Sequence, residues 1–367
     1  MQVKNPFFDE TLRPLLHVAG KKHSSTELSS ALSRLDYVVL TWKQLSDAQV
    51  CALGRALVHN YTVTFLDLSQ SHLSDRGVLL LSVALRSNRV VKRLVINDNQ
   101  CGITDGNVPP SLGEVGQTAL FTMLSSTRSL REFQFCNGGL TAPALIALKQ
   151  VLERYQTLKS LTLVVDSERT TKGVAEAVGV NKGLETLELV TGQTDLGKGW
   201  EALAGMLNSN TSLKRLFIHH SVTHKKQNPP HSEQAFRSFC VALSKNRSLT
   251  ALVLHFLELG PQEAALLGEA LRTNQALKAL QIDHCKLHDA GGISITEALL
   301  ENRTLIELDL SACYIGVEGL RALFNALKAN RTVKKLTLRL TAHVSEELVA
   351  SDLLKENSAV RVISLQD

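Results

Sequence analysis

The sequence lacks the motifs on which most protein chemistry depends. Its 367 residues hold no GxSxG, HExxH or EF-hand loop, and no cysteine or serine in a recognisable nucleophile setting. Its six cysteines, at 51, 101, 136, 240, 285 and 313, include no CxxC pair and no spacing typical of a secreted disulfide framework. Reduced thiols in a cytoplasmic protein are therefore expected. No apolar run is long enough to cross a bilayer. Residues 1–30 carry Lys4, Asp9, Glu10, Arg13, Lys21 and Lys22 where a secretory signal would be apolar. Excess charge is missing too: 40 basic against 35 acidic residues leave a net +5, and the doublets Lys21-Lys22 and Lys225-Lys226 are short. That balance gives no footprint for nucleic acid and no reason to expect a membrane partner.

What fills the chain instead is a single phrase, clearest where it is written twice in succession. LKALQIDHCKLHDAGGISITEALLENRT is followed by LIELDLSACYIGVEGLRALFNALKANRT, from Leu277 to Thr332. Each copy is apolar at positions 1, 4 and 6 (Leu277, Leu280, Ile282; Leu305, Leu308, Leu310). Cysteine follows at position 9 (Cys285, Cys313) and Leu287 or Ile315 at position 11. This is the LxxLxLxx(N/C)xL pattern of a leucine-rich repeat, and an apolar pattern of helical period completes each copy. Position 1 recurs at Leu35, Val63, Val91, Leu130, Leu158, Leu184, Leu213, Leu249, Leu277, Leu305, Val333 and Val360, mostly at intervals of 28 residues. Three residues before position 1 stands an asparagine at 60, 88, 181, 210, 246, 274, 302, 330 and 357, replaced only by Thr127 and Tyr155. We read it as a repeated helix C-cap in the left-handed conformation that asparagine tolerates.

A strand, a loop and a helix per repeat, returned by a right-handed crossover, predict an α/β leucine-rich-repeat solenoid of about 12 repeats with an all-parallel sheet. Strands stack roughly 4.8 Å apart and helices roughly 8–10 Å, so the stack is expected to bend into a horseshoe, sheet on the concave face and helices on the convex one. Residues 1–34 match no repeat; SSTELSSALSR, from Ser24, reads as a helix capping the first rung of a repeat domain over 35–367. Over that span the chain resembles the ribonuclease-inhibitor-like leucine-rich repeats also found in Ran GTPase-activating protein and in the sensor ends of NOD-like receptors. The resemblance is specific for fold and unspecific for function. With few cysteines and no alternation of repeat length, ribonuclease inhibition does not carry over.

Repeats consume almost the whole chain, so the expectation is a non-catalytic scaffold or adaptor that binds a partner protein and needs no cofactor. The alternative implied by the resemblance is a GTPase activator, although the acidic tail of that family is absent from the ending VRVISLQD. The strand positions expected to face a partner carry Tyr37, Trp42 and Phe65 near the start. Further on they carry Arg215, Phe217, His219, His220, His255, Phe256, Asp283, His284, Glu307, Asp309, Lys335 and Arg339. Seven of the twelve histidines fall between 219 and 288, and position 7 of three successive repeats aligns His219, His255 and Asp283, which read as an ordinary mixed polar surface, a pH-sensitive contact or weak candidate metal ligands. Two repeats are lengthened between strand and helix, around residues 102–115 and 223–233, and both insertions hold Pro-Pro; they read as loops on one rim, either binding edges or tolerated drift. GQTDLGKGW at 192–200 spells a phosphate loop but has Gly199 where the magnesium-binding hydroxyl belongs, so it reads as an ordinary loop. A monomer is expected; the open strand edge after Val360 leaves a dimer through the C-terminal edge as an alternative.

Overall fold

Serine and threonine just ahead of the apolar helical runs set where helices start. In the computed structural model, which describes residues 25–41, 44–97, 112–192, 196–220, 232–340 and 362–365, the hydroxyls of Ser46, Ser74, Thr141, Ser167 and Ser232 each accept the backbone N–H three residues on. Each satisfies a donor that the first helical turn would otherwise leave open. Among the described residues the 28-residue beat thereby becomes an alternation of strand and helix as far as Leu340.

The chain divides into two compact units, residues 1–166 and 167–367. The described part of the first runs α1 (Ser25–Leu32), β1 (Tyr37–Val39), α2 (Asp47–Val58), β2 (Phe65–Asp67), α3 (Asp75–Ser87), β3 (Arg93–Asn97), α4 (Glu114–Leu124), β4 (Glu132–Cys136), α5 (Ala142–Arg154) and β5 (Ser160–Val165). The second runs α6 (Glu168–Val180), β6 (Thr186–Thr191), α7 (Gly199–Ser209), β7 (Arg215–His220), α8 (Glu233–Lys245), β8 (Ala251–His255), α9 (Pro261–Thr273), β9 (Ala279–Asp283), α10 (His288–Glu301), β10 (Glu307–Asp309), α11 (Val317–Ala329), β11 (Lys335–Leu340) and β12 (Val362–Leu365). Within each unit the strands lie side by side in sequence order, and every pairing is parallel.

Register follows the leucines. Position 4 forms one unbroken row in the second unit, Leu187, Leu216, Leu252, Leu280, Leu308 and Leu336, each the direct partner of the next. All six are buried between sheet and helices. A one-residue slip would turn the whole row out to solvent, so the pattern fixes the pairing. In the first unit the equivalent row is Leu66, Leu94, Phe133 and Leu161. Leu28 and Leu32 of α1 are likewise buried. The reading of residues 1–24 as part of a cap, and that of the two Pro-Pro loops and the C-terminal edge at Val360, lie outside the described residues.

The asparagines do not act as the sequence reading expects. At 88, 181, 210, 246, 274, 302 and 330 the backbone is extended, with φ between −65° and −86°, not left-handed. The side chain does the work. In Asn302, Oδ1 accepts the N–H of Thr304 at 2.9 Å and of Leu305 at 2.8 Å, starting the next repeat. Nδ2 reaches back one repeat and donates to the carbonyls of Leu271 at 2.7 Å and Asn274 at 3.3 Å. The same set recurs at Asn210, Asn274 and Asn330, making a buried ladder that ties each helix end to its neighbour. Only an amide offers acceptor and donor together at this length, which is why asparagine recurs.

Glycine is required where one helix start meets the previous helix. Asp289 Oδ1 accepts the N–H of both Gly316 and Gly319 at 2.8 Å, so α11 is capped by α10. A Cβ on Gly319 would stand 2.7 Å from that oxygen.

Cys285 and Cys313 are buried and reduced. Cys313 Sγ lies 3.1 Å from the carbonyl oxygen of Ile282, so the thiol serves as a small, weakly polar filler. Burial pushes the Cys285 thiol up to about 12 and raises Cys313 and Cys240 as well. In brief alkylation at pH 8 followed by mass spectrometry, we expect Cys240, Cys285 and Cys313 to stay unlabelled in the native chain while the half-buried Cys51 reacts. Because Cys285 is raised on folding, its contribution is fully present below the ordinary thiol value near 9 and is lost as pH climbs toward about 12, so alkali should destabilise the second unit.

Candidate functional site

The sheet face turned away from the helices carries positions 3, 5, 7 and 8, and in the second unit it gathers most of the charged and aromatic candidates. Arg215 lies at position 3 of β7, where its Nε donates to Thr186 Oγ1 at 2.9 Å. Phe217, two residues on, is half-buried, as are His219, His220, His255, Phe256, Asp283, His284 and Asp309. Glu307, Lys335 and Arg339 are exposed, and the 3.4 Å ion pair of Lys335 with Glu307 joins two well-solvated groups, so it contributes little to stability. Asp309 Oδ1 accepts the N–H of Ser311 at 2.9 Å, so part of its capacity is spent on its own loop.

The histidines are brought together as the row predicted, with one change of partner. His255 and Asp283 are direct register partners on β8 and β9, and His255 Nε2 lies 3.2 Å from Asp283 Oδ2. His219 turns the other way. Its Nε2 meets Glu188 Oε1 at 2.7 Å on the preceding strand, and its ring is 6.2 Å from that of His255. The third member beside Asp283 is His284, whose Nδ1 lies 2.7 Å from Asp283 Oδ1. Position 8 explains the exchange: Phe256 and His284 have φ of 54° and 53°, a left-handed backbone rare for such residues, which turns their rings back along the face. Phe256 packs beside the imidazoles of His255 and His284, with centroids 4.1 Å and 4.2 Å away, and the two imidazoles are 5.5 Å apart. His220 Nδ1 lies instead beside Thr191 Oγ1, at 3.1 Å.

Burial lowers the pKa of His255, and this outweighs the opposing pull of Asp283. Its imidazole therefore favours the neutral form, with a lone pair available near neutral pH.

In the first unit, Tyr37 and Phe65 are register partners on β1 and β2. Arg93 stacks over Phe65 at 5.0 Å and also meets Glu132 at 3.4 Å. Arg93 and Glu132 escaped the sequence reading, although their shared position 3 was the available signal. Trp42 lies outside the described residues. The phosphate-loop look-alike is closed to an anion: the Lys198 N–H donates to Glu168 Oε1 at 2.9 Å, so a carboxylate already stands at the helix start. Its terminal Trp200 points into the core and is fully buried.

Three stretches, residues 59–82, 273–295 and 301–324, match the leucine-rich-repeat family model. No curated protein matches the sequence. Among solved structures, the chain is similar to one in the crystal structure of the yeast Rad7 and Elc1 complex, at 18% identity and a TM-score of 0.52, covering 97% of this chain and 85% of that one. It also overlaps the leiomodin-1 actin-binding site 2 over 34% of this chain and 73% of that one, at 22% identity; a TM-score of 0.29 gives that overlap no weight. The first likeness speaks to fold alone. By repeat pattern, strand register and structural likeness, the chain has a leucine-rich-repeat fold.

Proposed function

We propose that the chain is a non-catalytic interaction platform, of the ribonuclease-inhibitor-like kind and cytoplasmic, that binds a partner protein through the sheet face of its second unit. The observation that carries the reading is the row of half-buried rings at Phe217, His255 and Phe256, flanked by the exposed charges of Arg215, Glu307, Lys335 and Arg339. Apolar rings ringed by charge on a pre-ordered surface are what a binding hot spot requires, because little conformational entropy remains to be lost. The similar yeast chain was solved within a protein complex, which supports an interaction role for this architecture.

The test is affinity capture from the native cell with the wild-type chain and with an Arg215→Ala/Phe217→Ala/Phe256→Ala variant. Recovery of the specific partner should fall at least about tenfold in the variant, at unchanged helical content. A control on the helical side, Val241→Ala, should retain it. Equal recovery by all three chains would contradict the assignment of the face. Stimulated GTP hydrolysis in a panel of GTP-loaded small GTPases would contradict the non-catalytic reading.

A further inference from the structure

The three groups around Asp283 are arranged as ligands rather than as a hydrogen-bonded set. Asp283 Oδ1 and His284 Nδ1 stand 2.7 Å apart. Both atoms are shut off from solvent, yet neither makes a hydrogen bond, to each other or to any other group. The close approach is thus an ion-pair distance without donor alignment: an N–H on Nδ1 would not point at Oδ1. Orphaned buried polar atoms are costly, and a bound ion is one of the few things that satisfies two acceptors at once. His255 Nε2 comes from the neighbouring strand, and one ligand atom from each of the three residues lies within 4.8 Å of the others.

We propose that His255, Asp283 and His284 form a binding site for a divalent transition-metal ion, zinc(II) in particular, with a further coordination position open to solvent. Two imidazoles and one carboxylate are a donor set that zinc accepts and that magnesium and calcium, which favour all-oxygen shells, do not. Tetrahedral zinc with bonds of about 2.0–2.1 Å sets its ligands about 3.3 Å apart. The 3.2 Å between His255 Nε2 and Asp283 Oδ2 already matches, and a small rotation of His284 would open its 2.7 Å approach to Asp283 Oδ1. Phe256 packs against both imidazoles, with ring centroids 4.1 Å and 4.2 Å away, and gives the site an apolar neighbour. Asp309 adds negative charge nearby. His219 is excluded from the set by its pairing with Glu188.

The experiment uses the full chain, stripped with a chelator and titrated with zinc(II) against a chromophoric competitor. One saturable site is expected, and Asp283→Asn and His284→Ala should each weaken it at least about tenfold. His219→Ala and a His224→Ala/His231→Ala variant should leave it unchanged, and magnesium should not compete. Cobalt(II) should give a four-coordinate visible spectrum with no thiolate charge-transfer band. Using both Asp283→Asn and His284→Ala, each checked by circular dichroism, keeps the result readable should one fail to fold. Unchanged zinc affinity in a folded variant of either residue, or a thiolate band, would overturn the assignment.

Discussion

Replacing Asn302 by alanine is expected to remove about 3–5 kcal/mol of stability from the second unit, more than a typical surface substitution by an order of magnitude. The side chain is 2% exposed and satisfies two backbone N–H groups of its own repeat and two carbonyls of the previous one. Alanine takes the partner from the two N–H groups and from the Leu271 carbonyl, while the Asn274 carbonyl keeps the Thr304 hydroxyl at 3.3 Å. Each orphaned group costs about 1–3 kcal/mol, and the sum falls short of full additivity because the helix ends relax. Asn302→Asp separates the two roles: it keeps the acceptor but sets an anionic oxygen against the carbonyls of Leu271 and Asn274, so it should be at least as damaging. Glu301→Ala, one residue earlier and exposed, should change stability by less than about 0.5 kcal/mol. Urea unfolding with hydrogen exchange on β9 and β10 measures this. Because each repeat leans on its neighbours, protection should be lost first there.

Trp200→Ala should cost about 3–5 kcal/mol in the same unit. The indole is fully buried at the start of α7, and its ring meets Phe236 and Phe239 of α8 edge-on, both at 4.9 Å. Removing it empties the largest side chain from between two helices and breaks two aromatic contacts at once. Trp200→Phe refills part of the volume and should recover more than half of the loss. Near-UV circular dichroism and the urea midpoint report both variants. A loss below about 1 kcal/mol for alanine would mean that α7 and α8 do not pack as described.

The rungs were legible because burial repeats in the sequence itself: Leu280, Leu308 and Leu336 sit at one position of a pattern and pair in space. The asparagines were visible but misread. A C-cap is a local inference from one helix end, whereas Asn302 acts between repeats, and nothing in one repeat shows that its amide reaches Leu271. The His255 and Asp283 row followed from counting positions alone. His284 did not, because its place depends on a left-handed backbone that a non-glycine residue rarely signals. Glu188 was missed as the partner of His219 because it stands at position 5 of its repeat, off the row being counted.

The central claim is that the sheet face of the second unit grips a partner protein while the helical side does not. A photo-crosslinking amino acid placed at Phe217, on that face, and separately at Val241, exposed on α8, tests it most directly. The account predicts one specific adduct from position 217, suppressed by excess unmodified chain, and none from position 241. An adduct from position 241 alone, or the same adducts from both, would contradict it.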